Sequence, residues 1–305
     1  MINFKSIVND LLTSGNKLQL IRGNRFDAAP IVSGDGFKNI SDYILNFDTF
    51  SLEDLSNYQN FKSKVNIFIE LSSLESDNNK YILLKWIKHF NFCFNIILHN
   101  GDRVPEYEYL KLIIQQGATK VFSVNVLDVY DKIIPLPIGL ENLHYLNNGL
   151  IDLSVGKYDN HNSKKFISRN KDLILSARFS IGTNYFERNK LATELKNKYG
   201  NEYGFVLKAE KYKKEVERVR FVLSPPGNGM DCHRTWEALV MGAIPVVKNG
   251  FLAESLIKDM PIICVEDWGD FLSLGESEMI DLYDSFVGKT TEKLYMSYWC
   301  KNIFS

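Results

Sequence analysis

FVLSPPGNGMDCHRTWEALVMGAIPVVK, residues Phe221–Lys248, decides how the rest of the chain is read. Its apolar opening reads as a strand, which Pro225 and Pro226 end because neither can donate to a sheet ladder. Gly227 and Gly229 follow, and glycine both admits positive φ and lets a ligand come close to the backbone. Asp231 stands where a helix N-cap is expected, and the spacing predicts a helix from about Asp231 to Met241 that Gly242 closes. Trp236, Leu239 and Val240 supply its buried side, while His233 and Glu237, one turn apart, share a face. AIPVV then re-enters the sheet as a strand over Ile244–Val247. A strand, a glycine turn, a helix and a second strand make one unit of a parallel α/β sheet.

The same stretch carries chemistry. Unpaired N–H groups at the start of such a helix form an anion site, framed here by the loop Pro226, Gly227, Asn228 and Gly229. Arg234 falls in the first helical turn, where a cation opposes the helix dipole unless an anion meets it. Phosphate satisfies both demands. Glu237, one turn further in, is placed to accept hydrogen bonds from ribose hydroxyls. Plain readings stand beside these: an ordinary turn, a surface His233, Asp231 as a cap only, and Trp236 as core packing rather than a stacking platform.

Outward from this unit, short apolar runs alternate with segments of helical period. Strands are expected at Lys17–Arg22, Val65–Leu71, Phe94–His99, Lys120–Val124 and Ile133–Leu136. Helices are expected at Tyr81–Phe90, with Ile82, Trp86 and His89 or Phe90 inward, and at Glu106–Gln116, with Tyr109, Leu112 and Ile113 inward. After residue 171 the rhythm resumes with strand Asp172–Ala177, helix Tyr185–Lys198, strand Phe205–Lys208, helix Glu210–Val219 and strand Phe221–Ser224. Strand Pro261–Val265 and a helical stretch Thr291–Phe304 close the sequence. Between Leu146 and Lys171 the composition turns to Asn, Ser, Lys and Gly without a period, the mark of a linker or an exposed excursion. The chain of 305 residues is long enough for about two domains at roughly 150 residues each. The expected division is 1–150 and 151–305, two α/β domains with a ligand cleft at the carboxyl ends of their strands.

Composition narrows the function classes. With 36 basic and 37 acidic residues the formal net charge is −1, so no global basic field holds a nucleic acid. No uncharged apolar run approaches the roughly 20 residues of a spanning helix, and MINFKSIVNDLL lacks the pattern of a secretory signal. The four cysteines lie scattered without CxxC spacing, against a disulfide framework or a structural zinc site, and they suit a reducing cytoplasm.

The segment PPGNGMDCHRTWEALVMGAIPVV resembles the C-terminal signature of exostosin-like glycosyltransferases. HNGD (His99–Asp102), PLPIGLEN (Pro135–Asn142), LILSARF (Leu173–Phe179), TNYFER (Thr183–Arg188) and LYMSYW (Leu294–Trp299) resemble bacterial and viral members in the same order. The likeness runs from about residue 95 onward, and HRTWEAL is its most specific part. It implies a GT-B fold: two Rossmann-like domains, the second binding a nucleotide-sugar donor and the first an acceptor, with the final helix packing back on the first. It also implies that basic side chains and helix N-termini, not a metal or other cofactor, neutralise the diphosphate. Arg178, Arg188 and Arg234 then face the donor, with Thr183, Asn184, Asp231 and His233 around it and Glu237 on the ribose. For Arg178 and Arg188 an ordinary ion pair is the competing reading.

Inverting transfer, which rests on the family likeness alone, needs a general base for the acceptor hydroxyl. Asp102 follows the apolar strand FNIIL at its carboxyl end and is the first candidate, although N-G-D is also turn chemistry. Glu141, after PIG, is the second; His99 and His144 read as structural. No Asp-x-Asp metal motif is present, since Asp128-Val-Tyr-Asp131 is one residue too wide. The partners implied are a nucleotide-sugar and a glycan or lipid-linked saccharide, in a cytoplasmic enzyme of surface polysaccharide synthesis. A peripheral membrane contact through Lys208, Lys211, Lys213, Lys214, Arg218 and Arg220 is weighed against a solvated face balanced by Glu210, Glu215 and Glu217. A non-catalytic nucleotide- or sugar-binding module is the alternative from another class. A dehydrogenase is set aside, because LQLIRGNRFDAAP lacks GxGxxG.

Overall fold

The computed structural model describes residues 31–47, 64–127, 130–142, 164–200 and 204–305. Within them the strands β1 (Tyr43–Leu45), β2 (Val65–Glu70), β3 (Phe94–His99), β4 (Lys120–Ser123) and β5 (Ile133–Pro135) form one sheet in chain order. A second sheet holds β6 (Leu173–Ser176), β7 (Val219–Leu223), β8 (Ile244–Lys248) and β9 (Ile263–Val265), also in chain order. Every pairing is parallel, with registers such as Ile67 to Ile96, Ile96 to Val121 and Phe221 to Ile244. Each residue of β3 is buried, as expected of a parallel strand covered on both faces. The mixed α/β class read from the sequence is the class observed.

The helices are α1 (Gly34–Ile40), α2 (Asp77–Ile87), α3 (Tyr107–Gln115), α4 (Tyr185–Tyr199), α5 (Ala209–Val216) and α6 (His233–Val240). After them come α7 (Glu254–Ile257), α8 (Trp268–Leu272), α9 (Glu276–Ser285) and α10 (Met296–Phe304). Ser76 starts α2 by accepting from the Asn79 N–H, four residues before the apolar period that pointed to Tyr81. Its buried side is Leu83, Trp86 and Ile87; His89, expected inward, is exposed. In α3 the inward residues are Tyr109, Leu110 and Ile113, and Leu112 faces solvent. No strand forms at Phe205–Lys208, where Phe205 and Val206 stand exposed. Within the expected linker, Phe166 and Lys171 are buried, so that end of it belongs to the packed body. The expected strand at 17–22 and residues 143–163 of the linker lie outside the described residues, as do His144 and Asp128.

Lys171 has a specific role. Its Nζ donates to Val216 O (3.2 Å) and Glu217 O (2.9 Å) at the end of α5, and to Met241 O (2.9 Å) at the end of α6. A cation suits two converging helix C-termini, and the ammonium alone has a hydrogen for each carbonyl. Burial pushes the amine down to about 7, and the Arg169 cation adds to the effect. Between that value and roughly 10.4 the unfolded chain holds the extra proton, so this group makes stability rise with pH across the window. Lys171→Met is expected to remove that slope and to cost about 2 kcal/mol through orphaned carbonyls. Urea denaturation at several pH values measures both, and an unchanged midpoint would show that the carbonyls find other partners.

The apolar cluster around the first sheet continues into Trp236, Leu239 and Val240 of α6 and into Leu294, Tyr295, Trp299 and Ile303 near α10. The α10 end is fixed by a polar relay across β2 and β3. Asp42 accepts from the Asn66 N–H (2.7 Å), Asn66 Oδ1 accepts from Asn95 Nδ2 (2.9 Å), and Asn95 Nδ2 also donates to Ile303 O (3.1 Å). Val32 N donates to Leu294 O (2.8 Å), and Phe37 meets Trp299 edge to face. No described helix is long and apolar enough to cross a membrane.

Candidate functional site

The loops that leave β3, β4 and β5 meet the loop that leaves β7. Asn100 and Asn125, just past β3 and β4, both take left-handed backbone at φ 60 and 56, a conformation Asn tolerates better than most residues. Asn125 is buried, and its amide joins the two sides. Nδ2 donates to Gly101 O (2.9 Å) and Asp102 O (3.2 Å), while Oδ1 accepts from Met230 N (3.2 Å) and Asp231 N (3.3 Å). Gly229 eases this approach: a Cβ there would lie 3.2 Å from Asp102 O and 3.3 Å from Asn125 Oδ1, tight enough that the neighbours would have to give. Neither Gly227 nor Gly229 has positive φ, so close contact rather than left-handed backbone explains both glycines. A Cβ on Gly227 would stand 2.9 Å from Arg188 Nη2.

Asp231 is not the N-cap. That position is Cys232, and Asp231 lies one residue earlier. Its carboxyl is buried and accepts from Ile138 N (2.7 Å), Cys232 N (2.7 Å) and Trp236 Nε1 (2.8 and 2.9 Å). It therefore fastens α6 to the segment after β5, and its oxygens face inward. His233 Nδ1 adds a bond to Gly139 O at 2.8 Å. At the other end, Gly242 N donates to Leu239 O and Ala243 N to Ala238 O, with Gly242 at φ 70. This Schellman closure is what Gly242 was read to provide.

Burial pushes the Asp231 carboxyl up to about 7, and its N–H donors offset only part of that. Its folded value lies above the unfolded one, so between about pH 4 and 7 the native state holds the extra proton. Stability from this group is full below that window and falls as pH rises through it. Asp231→Asn should abolish that slope and, at pH 8, cost about 2 kcal/mol, because its NH2 must face a buried N–H donor. Thermal unfolding at several pH values checks this, and a slope surviving in the variant would assign it elsewhere.

Compared with known proteins, the chain matches no family model and no curated sequence.

Arg188 is buried and every guanidinium N–H is committed to the protein. Nε donates to Pro226 O (2.8 Å), Nη1 to Ser180 O (2.8 Å) and the Thr183 hydroxyl, and Nη2 to Pro225 O (3.3 Å) and Cys232 Sγ (3.8 Å). It is neither a surface ion pair nor open to a phosphate; it shapes the glycine loop from behind. Asn184 helps, capping α4 through Glu187 N and donating to Gly227 O at 3.3 Å. Arg178 is an ion pair, bidentate on Glu215 at 2.9–3.0 Å, with Phe205 against its face at 4.5 Å. Lys214 pairs with Glu210 and Arg218 with Asp172, which gives the basic run a mixed-charge face.

Arg234 differs from the other two arginines. It is half-buried in the first turn of α6, and its Nε is sealed from solvent without a hydrogen-bond partner. The Tyr212 hydroxyl, also sealed, faces Arg234, whose charge and hydrogen bonding work against the upward push of burial on the phenol. Glu237 is buried one turn further along, and Asn228 is exposed at the tip of the loop. The Asp102 side chain is exposed beside the loop, while Glu141 is half-buried after β5. His99 is structural: its Nδ1 lies 2.8 Å from Asn100 N and 3.0 Å from Asn100 Oδ1, and its Nε2 lies 3.2 Å from Pro137 O. Burial lowers its pKa, and the contacts with Asn100 and Pro137 oppose that shift. Sequence reading missed Asn100, Asn125, Tyr212 and Asn142, which accepts from Asp35 N (2.8 Å) and donates to Asn100 Oδ1 (2.9 Å). The only available signal was asparagine directly after an apolar strand, as at Asn100.

Proposed function

We propose that this protein is a glycosyltransferase of GT-B architecture that moves a sugar from a nucleotide-sugar to a glycan or lipid-linked glycan. One observation carries the reading: the glycine loop and the first turn of α6, with Arg234, adjoin loops from the carboxyl ends of β3, β4 and β5. The carboxyl ends of parallel strands are where α/β proteins place ligands. In this reading the diphosphate sits at the start of α6 against Arg234, and Glu237 holds the ribose. The loop 226–229 frames the donor in a cleft between the sheets. Arg188, Asn184 and Asp231 shape that frame instead of touching the donor. Asp102 takes the acceptor proton, with Glu141 as second candidate, and fixed N–H groups and Arg234 stabilise the leaving diphosphate. Inversion and metal independence belong to the same proposal through the family likeness, and a cytoplasmic site belongs to it through the scattered cysteines; the ion pairs of Lys214 and Arg218 weigh against a peripheral membrane contact through the 208–220 run.

A non-catalytic nucleotide-binding module is the second reading, supported by the commitment of Arg178 and Arg188 to internal partners. A thermal-shift panel of UDP, GDP, CMP, ADP and dTDP, with and without EDTA, tests both. A ligand at 100 times its dissociation constant adds about 2.7 kcal/mol of stability. One nucleotide standing out regardless of EDTA supports the donor site, and sugar release from the matching nucleotide-sugar separates enzyme from module. No response from any nucleotide counts against both readings.

A further inference from the structure

We infer that Asn125 is a positioning residue that registers the Asp102 loop against the donor loop, so that nucleotide binding on one side is felt on the other. The inference rests on the donor site proposed above. Asn125 donates both amide hydrogens to carbonyls of the Asp102 loop and accepts both N–H groups of Met230 and Asp231 with one oxygen. All four bonds need the amide: a carboxylate has no hydrogens to give, and an alkyl side chain has neither function. The bonds cross between the two sheets, since Asn125 and Gly101–Asp102 follow β4 and β3 while Met230–Asp231 follow β7.

Two further facts mark the junction as tightly set. Asn125 holds its left-handed backbone without the freedom of glycine, and strain of that kind persists where surroundings over-determine it. A Cβ on Gly229 would press on Asp102 O and the Asn125 amide at 3.2–3.4 Å, so the loops could admit one only by giving a few tenths of an ångström. The grip on Asp102 is through its backbone carbonyl, which leaves the carboxyl exposed beside the loop. A group that carries a proton in a transfer step must sit within a fraction of an ångström of its place. Asn125 supplies the fixed spacing.

The test is amide hydrogen exchange on the full chain, with and without whichever of UDP, GDP, CMP, ADP or dTDP gives the thermal shift. In the wild type the nucleotide is expected to slow exchange at least fivefold in peptides covering 226–232 and also in those covering 100–103. In Asn125→Asp, protection should remain at 226–232 and vanish at 100–103. Asn125→Gly guards against misfolding, since glycine adopts φ 56 freely and removes the amide; it should give the same split. Protection reaching 100–103 in either folded variant, or never reaching it in the wild type, overturns the inference. If no nucleotide protects 226–232 in the wild type, the donor-site reading itself fails, a different and recognisable result.

Discussion

Arg234→Ala is expected to weaken nucleotide binding at least 100-fold, abolishing the thermal shift, while the unliganded protein melts within a few degrees of the wild type. The argument is electrostatic. Arg234 stands in the first turn of α6, on the positive side of the helix dipole, with its Nε desolvated and only the neutral Tyr212 hydroxyl facing the guanidinium. Arg188, another buried cation, is close enough to disfavour it further. A cation kept in that place contributes little to the unliganded fold, so removing it relieves repulsion as much as it loses packing. A bound diphosphate reverses the balance, because charge-assisted hydrogen bonds to an anion in a partly buried site are among the strong ones. Titration calorimetry of the variant decides the matter. Wild-type affinity would end the assignment of phosphate to this turn.

Asp102→Asn should leave nucleotide affinity within about twofold and reduce turnover by roughly 100- to 10,000-fold, the range of a lost general base. The substitution is nearly isosteric. Asn125 and Gly229 engage the Asp102 backbone and not its carboxyl, so the loop keeps its place and the loss is chemical. The measurement is steady-state release of nucleotide from the nucleotide-sugar that the binding panel selects. A near-normal rate would transfer the role to Glu141.

Sequence and structure part company in ways that have physical causes. The strands β3, β7 and β8 were legible because a continuous apolar run is what a strand covered on both faces must be. The start of α2 was not, since Asp77, Asn78 and Asn79 carry no period and Ser76 alone sets the boundary through its cap. FVLK at 205–208 has the composition of a strand, yet no pairing partner takes it up, and composition does not encode partners. At the site, the helix bearing Arg234 and Glu237 was readable from spacing. The four bonds of Asn125 were not, because its partners lie 23 to 106 positions away. Asp231 shows the same limit: its place before the helix was evident, but its hold on Ile138 depends on a contact between sheets.

The carbonyl of Ile303 meets an amide of β3 that precedes it by 208 positions. During synthesis β3 and its neighbours therefore emerge long before the helix that covers them. At about 5–20 residues per second, the ribosome leaves that apolar face waiting for roughly 10 to 40 seconds. Over that interval the first sheet lacks the helix that covers its apolar face, and closure of this part of the core waits for residue 303 to emerge.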